Sequence, residues 1–393
     1  MSGARGQAGL TATVLVAAAL PFILTPWKAQ ALGPSGRGEV GFFGATFSII
    51  LGCAALGIRY AYYEVRSRQP ERLSVVGRRL LVLAYGVAGV ATLLALLVAS
   101  RSMSPAIMIA LAVAWLISPV QLFTQTELSE AQAAQRRMRV AALSSTPALF
   151  ESAATLLLLL GQRMTVAASV FVTMTSEVLR GLVAGLFRRR DRSVDTPWFD
   201  LSRRSVVLAP IGLLPIVVAN LDTVVFAWFV PNAVLGEYSV SKLAINVMLL
   251  IAVTLEGRVA RGLPHRRGFT LVVVALGACA ATGAALGYLL TPILFGEEFE
   301  ATRYAFLVTS IAGWFGSIFT LAAARGAWNG RGRVANVASV VAASVILASS
   351  LVLGLLWPDA PAWALGLPAL LSYGVAAVIA VAGTRGGNRV DTH

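Results

Sequence analysis

The chain has 393 residues, of which 57% are hydrophobic and 13% are charged. Soluble domains average about 45–50% apolar and about 25% charged residues, so this composition excludes a soluble enzyme, a disordered regulator and a disulfide-rich scaffold. The formal net charge of +14 does not indicate nucleic-acid binding, because no soluble module is left to carry a basic face. The composition therefore predicts a polytopic membrane protein.

Twelve apolar runs are long enough to cross a membrane, which takes about 20 helical residues. In chain order they are 9–30, 41–63, 79–100, 105–127, 141–162, 164–187, 205–230, 237–258, 269–294, 302–324, 333–356 and 362–383. The first run also resembles a signal peptide, with Ala29-Gln30-Ala31 as its cleavage site. Its removal would leave an odd number of helices, so we predict that it is retained. The fold class is therefore an all-α polytopic membrane protein with about 12 transmembrane helices.

The positive charges alternate between the two sides of the predicted helices. With a cytoplasmic N-terminus, 25 of the 32 Lys and Arg residues lie in or beside cytoplasmic segments. The external loops hold 5, among them Lys28 and Arg37, while Arg180 and Lys242 lie within helices. Cytoplasmic loops of membrane proteins are enriched in Lys and Arg. We therefore predict a multi-pass protein of the cytoplasmic (inner or plasma) membrane, with both termini cytoplasmic.

The two halves of the chain carry similar short motifs at nearly constant separation. The pairs are Gly38-Glu39-Val40 with Gly236-Glu237-Tyr238, Trp115 with Trp314, Phe123-Thr124 with Phe319-Thr320, and Arg139-Val140-Ala141 with Arg333-Val334-Ala335. Six helices in each half would give both halves the same orientation, related by a pseudo-two-fold axis along the membrane normal. We predict six-helix lobes at 1–187 and 205–393, joined by a cytoplasmic linker at 188–204.

Several ionisable residues fall inside the predicted helices, where an unpaired charge costs a few kcal/mol or more. Glu177 and Arg180 are spaced i,i+3 and share a helix face. Asp222 and Lys242 lie on consecutive antiparallel helices, at depths where they can pair. For both pairs, a structural ion pair and a functional site remain open. Glu151 lies near the membrane midplane without a partner in its own helix, which favours a protonatable or cation-binding group over a buried hydrogen-bonded acid.

The residue types needed for catalysis, metal binding or ATP hydrolysis are scarce. The two histidines, His265 and His393, are far apart, and Cys53 and Cys279 lie in separate apolar runs. The sequence contains no G-x-x-x-x-G-K-[ST] motif for nucleotide phosphates. We therefore predict no catalytic residue, no metal site and no cofactor, and expect that the protein is not an enzyme.

Three segments resemble motifs of one transporter family. They are Leu32-Gly33-Pro34-Ser35-Gly36-Arg37-Gly38-Glu39, then Asn220-Leu221-Asp222-Thr223 together with Leu235-Gly236-Glu237-Tyr238, and Leu294-Phe295-Gly296-Glu297-Glu298-Phe299. In this order and spacing they are similar to bacterial polysaccharide flippases, the Wzx-type branch of the multidrug/oligosaccharidyl-lipid/polysaccharide exporter superfamily. The resemblance covers essentially the whole chain.

The resemblance implies translocation of a polyprenyl-diphosphate-linked oligosaccharide by alternating access. On this hypothesis, Arg37, Arg180 and Lys242 are the candidates for binding the diphosphate. Glu151, Glu177 and Asp222 are the candidates for coupling transport to a proton or sodium gradient. Expected partners are the lipid-linked glycan, membrane lipids, and the polymerase and glycosyltransferases of polysaccharide synthesis.

Three alternative functions remain open on the sequence. A multidrug/cation antiporter of the same superfamily would favour acidic and aromatic residues in its cavity. A membrane glycosyltransferase or ligase would need a sizeable external loop, whereas the longest external acidic cluster, Glu297-Glu298-Phe299-Glu300, lies in a short turn. A scaffold subunit of a polysaccharide synthase complex would not carry substrate at all.

Overall fold

The chain folds almost entirely into long helices. The computed structural model describes residues 2–58, 61, 73–75, 78–133, 136–190, 198–200, 202–262, 266–328 and 332–385. The helices are α1 (Ser2–Ala55), α2 (Arg78–Ser102), α3 (Pro105–Ala133), α4 (Arg137–Leu160), α5 (Val166–Arg190), α6 (Ser202–Phe226), α7 (Asn232–Ser241), α8 (Leu243–Gly262), α9 (Arg266–Phe295), α10 (Thr302–Trp328), α11 (Gly332–Leu356) and α12 (Leu367–Arg385). Short 3₁₀ turns at Glu297–Phe299 and Ala364–Gly366 precede α10 and α12.

The predicted spans coincide with these helices, with one difference at the N-terminus. Among the described residues, 11 helical segments are long and apolar enough to cross a membrane, because the first two predicted runs join in α1. Helix α1 has 54 residues and contains one non-helical residue, Gly33, with φ 65° and ψ 173°. At about 1.5 Å per residue, α1 is about 80 Å long, more than twice the hydrocarbon thickness of about 30 Å. Counting its two arms on either side of Gly33 separately gives the predicted 12.

The predicted run 237–258 contains a helix junction. Helices α7 and α8 meet at Lys242, whose N–H donates to Tyr238 O at 3.0 Å while its own carbonyl accepts from Asn246 N at 3.0 Å. These bonds keep the backbone ladder nearly continuous, so the two helices act as a single apolar span over Asn232–Ala252. The junction places a lysine side chain at a point between two helices.

A short parallel pair of strands was not predicted. Strand β1 (Leu73–Val75) pairs with β2 (Trp198–Asp200) in the register Leu73↔Trp198, Ser74↔Phe199 and Val75↔Asp200. Strand β2 falls in the predicted linker 188–204, of which residues 191–197 and 201 lie outside the described residues. The pairing shows that this stretch is tied to a segment more than 100 residues earlier in the chain.

The chain divides into two compact units. The first comprises Met1–Leu32 and Phe43–Ile216, and the second comprises Gly33–Phe42 and Val217–His393. Helices α1 and α6 therefore contribute residues to both units. In the first unit, Leu56, Leu80 and Leu122 pack in a buried cluster. In the second, a larger cluster includes Val218 and Phe319. The lobe boundaries predicted from the sequence remain a prediction.

Each unit contains a helix pair joined by a tryptophan. In the first unit, Trp115 Nε1 of α3 donates to Tyr85 O of α2 at 3.1 Å, and its indole lies beside Gly89. In the second unit, Trp314 Nε1 of α10 donates to Val273 O of α9 at 3.0 Å, and its indole lies beside Gly277. In both units the accepting carbonyl precedes the glycine by four residues. These matched contacts support the duplication inferred from the sequence.

Candidate functional site

The helices bring several buried charged side chains together in pairs. Asp222 and Lys242 form an ion pair in the second unit. Lys28 pairs with Glu151, and Glu177 pairs with Arg180, in the first unit. Within the described residues, no cluster of three or more His, Cys, Asp or Glu side chains is arranged to hold a metal ion. The charged side chains at these interior positions are therefore arranged as ion pairs.

The Asp222–Lys242 pair is closed on all sides by hydrogen bonds. Lys242 Nζ donates to Asp222 Oδ1 at 2.7 Å, to Ala219 O at 2.7 Å and to Thr223 Oγ1 at 2.9 Å. These three bonds use all three protons of the ammonium group. The side chains of Lys242 and Asp222 are 8% and 1% exposed. The predicted pairing is confirmed, and contact between Lys242 and a diphosphate would require one of these bonds to break.

The second oxygen of the carboxylate is also occupied. Tyr238 Oη, on α7, donates to Asp222 Oδ2, and the Thr223 N–H donates to Asp222 Oδ1 at 2.7 Å. The Lys242 ammonium also lies 5.6 Å from the centre of the Tyr238 ring. The sequence marked Tyr238 only as part of the motif Gly236-Glu237-Tyr238, without a role. Its position in the motif was the available signal, because a buried tyrosine hydroxyl needs a polar partner.

A close helix crossing sets the position of Tyr238. A Cβ atom added to Gly38 of α1 would lie 2.0 Å from Asn232 O, and one added to Gly236 of α7 would lie 1.8 Å from Pro34 O. Both glycines therefore allow backbone contact. The two contacts are reciprocal: each glycine faces a carbonyl that lies four residues before the other glycine, Pro34 before Gly38 and Asn232 before Gly236. The half-buried Arg37 lies beside this crossing, in the stretch Gly33–Phe42 of α1 that belongs to the second unit.

Lys28 is the partner of Glu151, and the sequence analysis placed it wrongly. It was counted with the external loops although it falls in the predicted run 9–30, and the structure places it within α1, 8% exposed. Lys28 Nζ is 3.7 Å from Glu151 Oε1, and Thr173 Oγ1 of α5 donates to the same oxygen at 3.3 Å. The missing partner of Glu151 thus comes from a helix more than 100 residues earlier.

Glu177 and Arg180 form the predicted pair on α5. Arg180 Nη1 lies 3.3 Å from Glu177 Oε2, and Arg180 Nε donates to Leu143 O of α4 at 2.9 Å. The guanidinium group therefore neutralises a carboxylate on its own helix and joins two helices. Thr173 lies one turn before Glu177, so the two ion pairs of the first unit flank the same face of α5. Their four charges sum to zero.

Comparison with solved structures identifies the class of fold. The lipid II flippase MurJ in an inward closed conformation has a TM-score of 0.66 and 9% identity, covering 96% of this chain and 87% of that one. An inward-facing multidrug resistance MATE family transporter of the MOP superfamily has a TM-score of 0.62 and 13% identity, covering 93% of each chain. A MOP superfamily transporter from Pyrococcus furiosus has a TM-score of 0.54 and 12% identity, covering 96% and 94%. The chain therefore has the fold of MOP superfamily membrane transporters.

The family follows from the sequence comparison. The model of the polysaccharide biosynthesis protein family matches residues 4–259. The chain belongs to this family, which confirms the predicted resemblance. No curated protein matches it in sequence.

Proposed function

We propose that this protein is a transporter that moves a polyprenyl-diphosphate-linked oligosaccharide or polysaccharide precursor across the cytoplasmic membrane by alternating access. Membership of the polysaccharide biosynthesis protein family carries the proposal. A diphosphate and a hydrophilic glycan cannot cross about 30 Å of hydrocarbon unaided. A carrier for them needs polar and cationic groups inside its spans, and the buried Lys28 and Lys242 and the half-buried Arg180 are cations of this kind.

The proposed roles of the charged residues follow from this substrate. Arg37, Arg180 and Lys242 remain the candidates for the diphosphate, as charge-assisted hydrogen-bond donors. Glu151, Glu177 and Asp222 remain the candidates for coupling the cycle to a proton or sodium gradient, with no cofactor. The lobes would alternate between inward-open and outward-open states, and the enzymes that build and polymerise the glycan would supply and consume the substrate.

The proposed membrane is the cytoplasmic one, with both termini on the cytoplasmic side. The charge distribution supports this orientation, since 25 of the 32 Lys and Arg residues would then lie at the cytoplasmic face. The lipid-linked precursor would enter from that face, where activated sugars are available, and leave at the other.

A deletion strain tests the proposal. We expect loss of the surface glycan and accumulation of the lipid-linked intermediate on the cytoplasmic side, both restored by the wild-type gene. Normal surface glycan in the deletion strain, with drug resistance on overexpression, would instead identify a multidrug antiporter. We expect Arg180→Ala and Lys242→Ala to reduce export at least tenfold at equal protein levels. Wild-type export by both variants would contradict the cationic-site assignment.

A further inference from the structure

We propose that the end of α9 and the start of α10 bind the headgroup of a membrane phospholipid of the phosphoethanolamine type. The site consists of Tyr288 on α9, Glu300 in the turn that follows, and Arg303 and Tyr304 at the start of α10. We call these four residues the Arg303 cluster. Arg303 binds the lipid phosphate, and Glu300 with the ring of Tyr304 binds the lipid ammonium. The inference does not depend on which substrate the protein transports.

The Arg303 cluster lies near one face of the membrane. Helices α9 and α10 contain the consecutive candidate spans Gly268–Phe295 and Thr302–Arg325. A short turn between two consecutive spans lies at a membrane face, and the charge distribution predicts the external one. Because α9 continues from Tyr288 to Phe295, about 10 Å at 1.5 Å per residue, the cluster lies slightly inward of the tip of the turn. This is the depth at which lipid headgroups adjoin their acyl chains.

The surface around the cluster is apolar and faces outward. Of the most apolar part of α9, 11% is buried within the chain. Ile293 on α9 and Leu307 on α10 are 72% and 39% exposed, and Tyr304 is 53% exposed. Charged groups on such a surface are costly unless they find polar partners. A phospholipid can supply those partners through its headgroup while its acyl chains contact the apolar side chains.

The Arg303 side chain is held in place with donors to spare. Its Nε donates to Tyr288 O at 3.1 Å and its Nη1 donates to Glu300 Oε1 at 3.3 Å. Its guanidinium also lies over the Tyr288 ring, 4.6 Å from the ring centre. Among the described residues, these bonds use two of the five N–H donors of the guanidinium. A planar guanidinium fixed in this way can bind a phosphate through the donors that remain.

Glu300 and Tyr304 provide partners for a positive group beside the phosphate. The Glu300 side chain is 68% exposed, although it pairs with Arg303. The Tyr304 ring packs against Tyr288 with its centre 5.8 Å away and the ring planes at 77°. An ammonium group can be bound by a carboxylate and by the face of a tyrosine ring together. The cluster thus places a cation next to an anion, as the headgroup does in the opposite sense.

The balance of charge distinguishes between types of headgroup. The charges of Arg303 and Glu300 sum to zero, and Glu297 and Glu298 precede them in the same turn. An anionic headgroup would be attracted by Arg303 and repelled by these carboxylates. A choline headgroup carries a positive charge without an N–H donor for Glu300. A headgroup with a phosphate and a primary ammonium is therefore the best match.

Native mass spectrometry of the full-length protein in detergent tests the proposal. The probes are phosphatidylethanolamine, phosphatidylcholine and phosphatidylglycerol with identical acyl chains. We expect the wild type to bind phosphatidylethanolamine about threefold to tenfold more tightly than the other two. Arg303→Gln should weaken this binding about tenfold, because it removes charge-assisted hydrogen bonds to the phosphate. Glu300→Gln should remove the preference for phosphatidylethanolamine over phosphatidylcholine, since the amide has no charge to attract an ammonium.

The matched control is Arg101→Gln. Arg101 is an exposed arginine in the last turn of another candidate span, α2, so this variant should bind all three lipids as the wild type does. The Arg303–Glu300 pair is partly exposed, and such pairs contribute little to folding. Both cluster variants should therefore keep the wild-type elution volume and unfolding midpoint when no lipid is added.

The outcomes decide the proposal in either direction. A phosphatidylethanolamine preference that is lost in Arg303→Gln and Glu300→Gln and kept in Arg101→Gln would support it. Equal binding of the three lipids by the wild type would overturn it, as would phosphatidylethanolamine binding that Arg303→Gln leaves unchanged. A preference for phosphatidylglycerol that depends on Arg303 would overturn the assignment to a zwitterionic headgroup. Since no glycan precursor enters these measurements, failure of the proposed function would leave them unaffected.

Discussion

At the scale of single residues, the molecule shows two ways of placing a charge inside a membrane span. Around Asp222 and Lys242, every ammonium proton and both carboxylate oxygens have a partner, so the charges are neutralised locally. Around Glu151, the nearest ammonium is 3.7 Å away and the carboxylate keeps part of its exposure. Contact between Lys242 and a substrate or ion would therefore have to break one of the bonds in the first arrangement.

The closed pair predicts a large stability effect. Lys242→Met leaves the Asp222 carboxylate buried without its cation, and losing one member of a buried pair costs about 3–5 kcal/mol. We expect a lower unfolding midpoint in detergent, and partial recovery in Asp222→Asn/Lys242→Met, which removes both charges. The control is Glu300→Gln, because Glu300 is 68% exposed in its pair with Arg303 and exposed pairs contribute about 0–1 kcal/mol. Equal midpoints for Lys242→Met and Glu300→Gln would show that the network is not stabilising.

At the scale of elements, the crossing of α1 and α7 organises the second unit. Two glycines let the backbones touch, at Gly38 against Asn232 O and at Gly236 against Pro34 O. Tyr238 follows Gly236 by two residues and Lys242 follows by six, so the crossing fixes how both side chains meet Asp222. Moving α1 and α7 apart at this crossing would therefore disturb the buried ion pair of Asp222 and Lys242.

Alanine substitutions test this crossing. Gly38→Ala and Gly236→Ala each place a methyl group about where a backbone carbonyl lies, and a carbonyl cannot move aside as a flexible side chain can. We expect each to cost about 3 kcal/mol or more, seen as less folded monodisperse protein and a lower unfolding midpoint. Gly44→Ala, also in α1, meets nothing within 4 Å and should be neutral or up to about 1 kcal/mol stabilising. The same loss in all three variants would mean that any alanine in these helices is harmful.

At the scale of the whole molecule, the orientation depends on how α1 is counted. Its 54 residues form two helical arms that meet at the non-helical residue Gly33, and the arms can be counted as two spans or together as one. If α1 forms two spans, the total number of transmembrane spans is even and both termini lie on the same side of the membrane. If α1 forms one span, the described residues contain 11 spans and the termini lie on opposite sides of the membrane.

Reporter fusions distinguish these topologies. The charge distribution predicts that both termini are cytoplasmic. A fluorescent protein fused at either Met1 or His393 should therefore fluoresce, since it matures in the cytoplasm. Alkaline phosphatase fused after Pro231, between α6 and α7, should be active outside. Phosphatase activity at exactly one terminus would instead establish an odd number of spans and contradict the predicted orientation.

Much of the fold was predictable because hydropathy is a local property. Each long apolar run lies in helical structure, although the first two runs join in α1 and the run 237–258 is divided between α7 and α8. The matched motifs at Trp115 and Trp314 make matched contacts. The strand pair at Leu73–Val75 and Trp198–Asp200 was missed because three-residue segments have too little pattern to recognise. Lys28 was missed because it lies two residues before the end of the predicted run 9–30 and was counted with the following external loop.

The candidate site was only half predictable. Glu177–Arg180 pair within one helix turn, so their spacing in the sequence was sufficient. Asp222–Lys242 lie on consecutive helices, where a short connection limits the possible arrangements. Lys28 on α1 and Glu151 on α4 are separated by two intervening helices, α2 and α3, and no sequence spacing relates them. Tyr238 was also missed as a partner, although it lies on the next helix along the chain and its hydroxyl donates to Asp222 Oδ2.

The sequence by itself determined that this is a membrane protein with long helices in two related halves, and its motifs indicated the polysaccharide biosynthesis family. These properties follow from composition, run length and short motifs, which can be read along the chain without knowing which helices are in contact. Only the tertiary structure decided that Lys28 pairs with Glu151 and which other groups surround each ion pair. The reason is that the cost of a charge in hydrocarbon depends on the atoms within a few ångströms of it, and those atoms come from helices far apart in the chain.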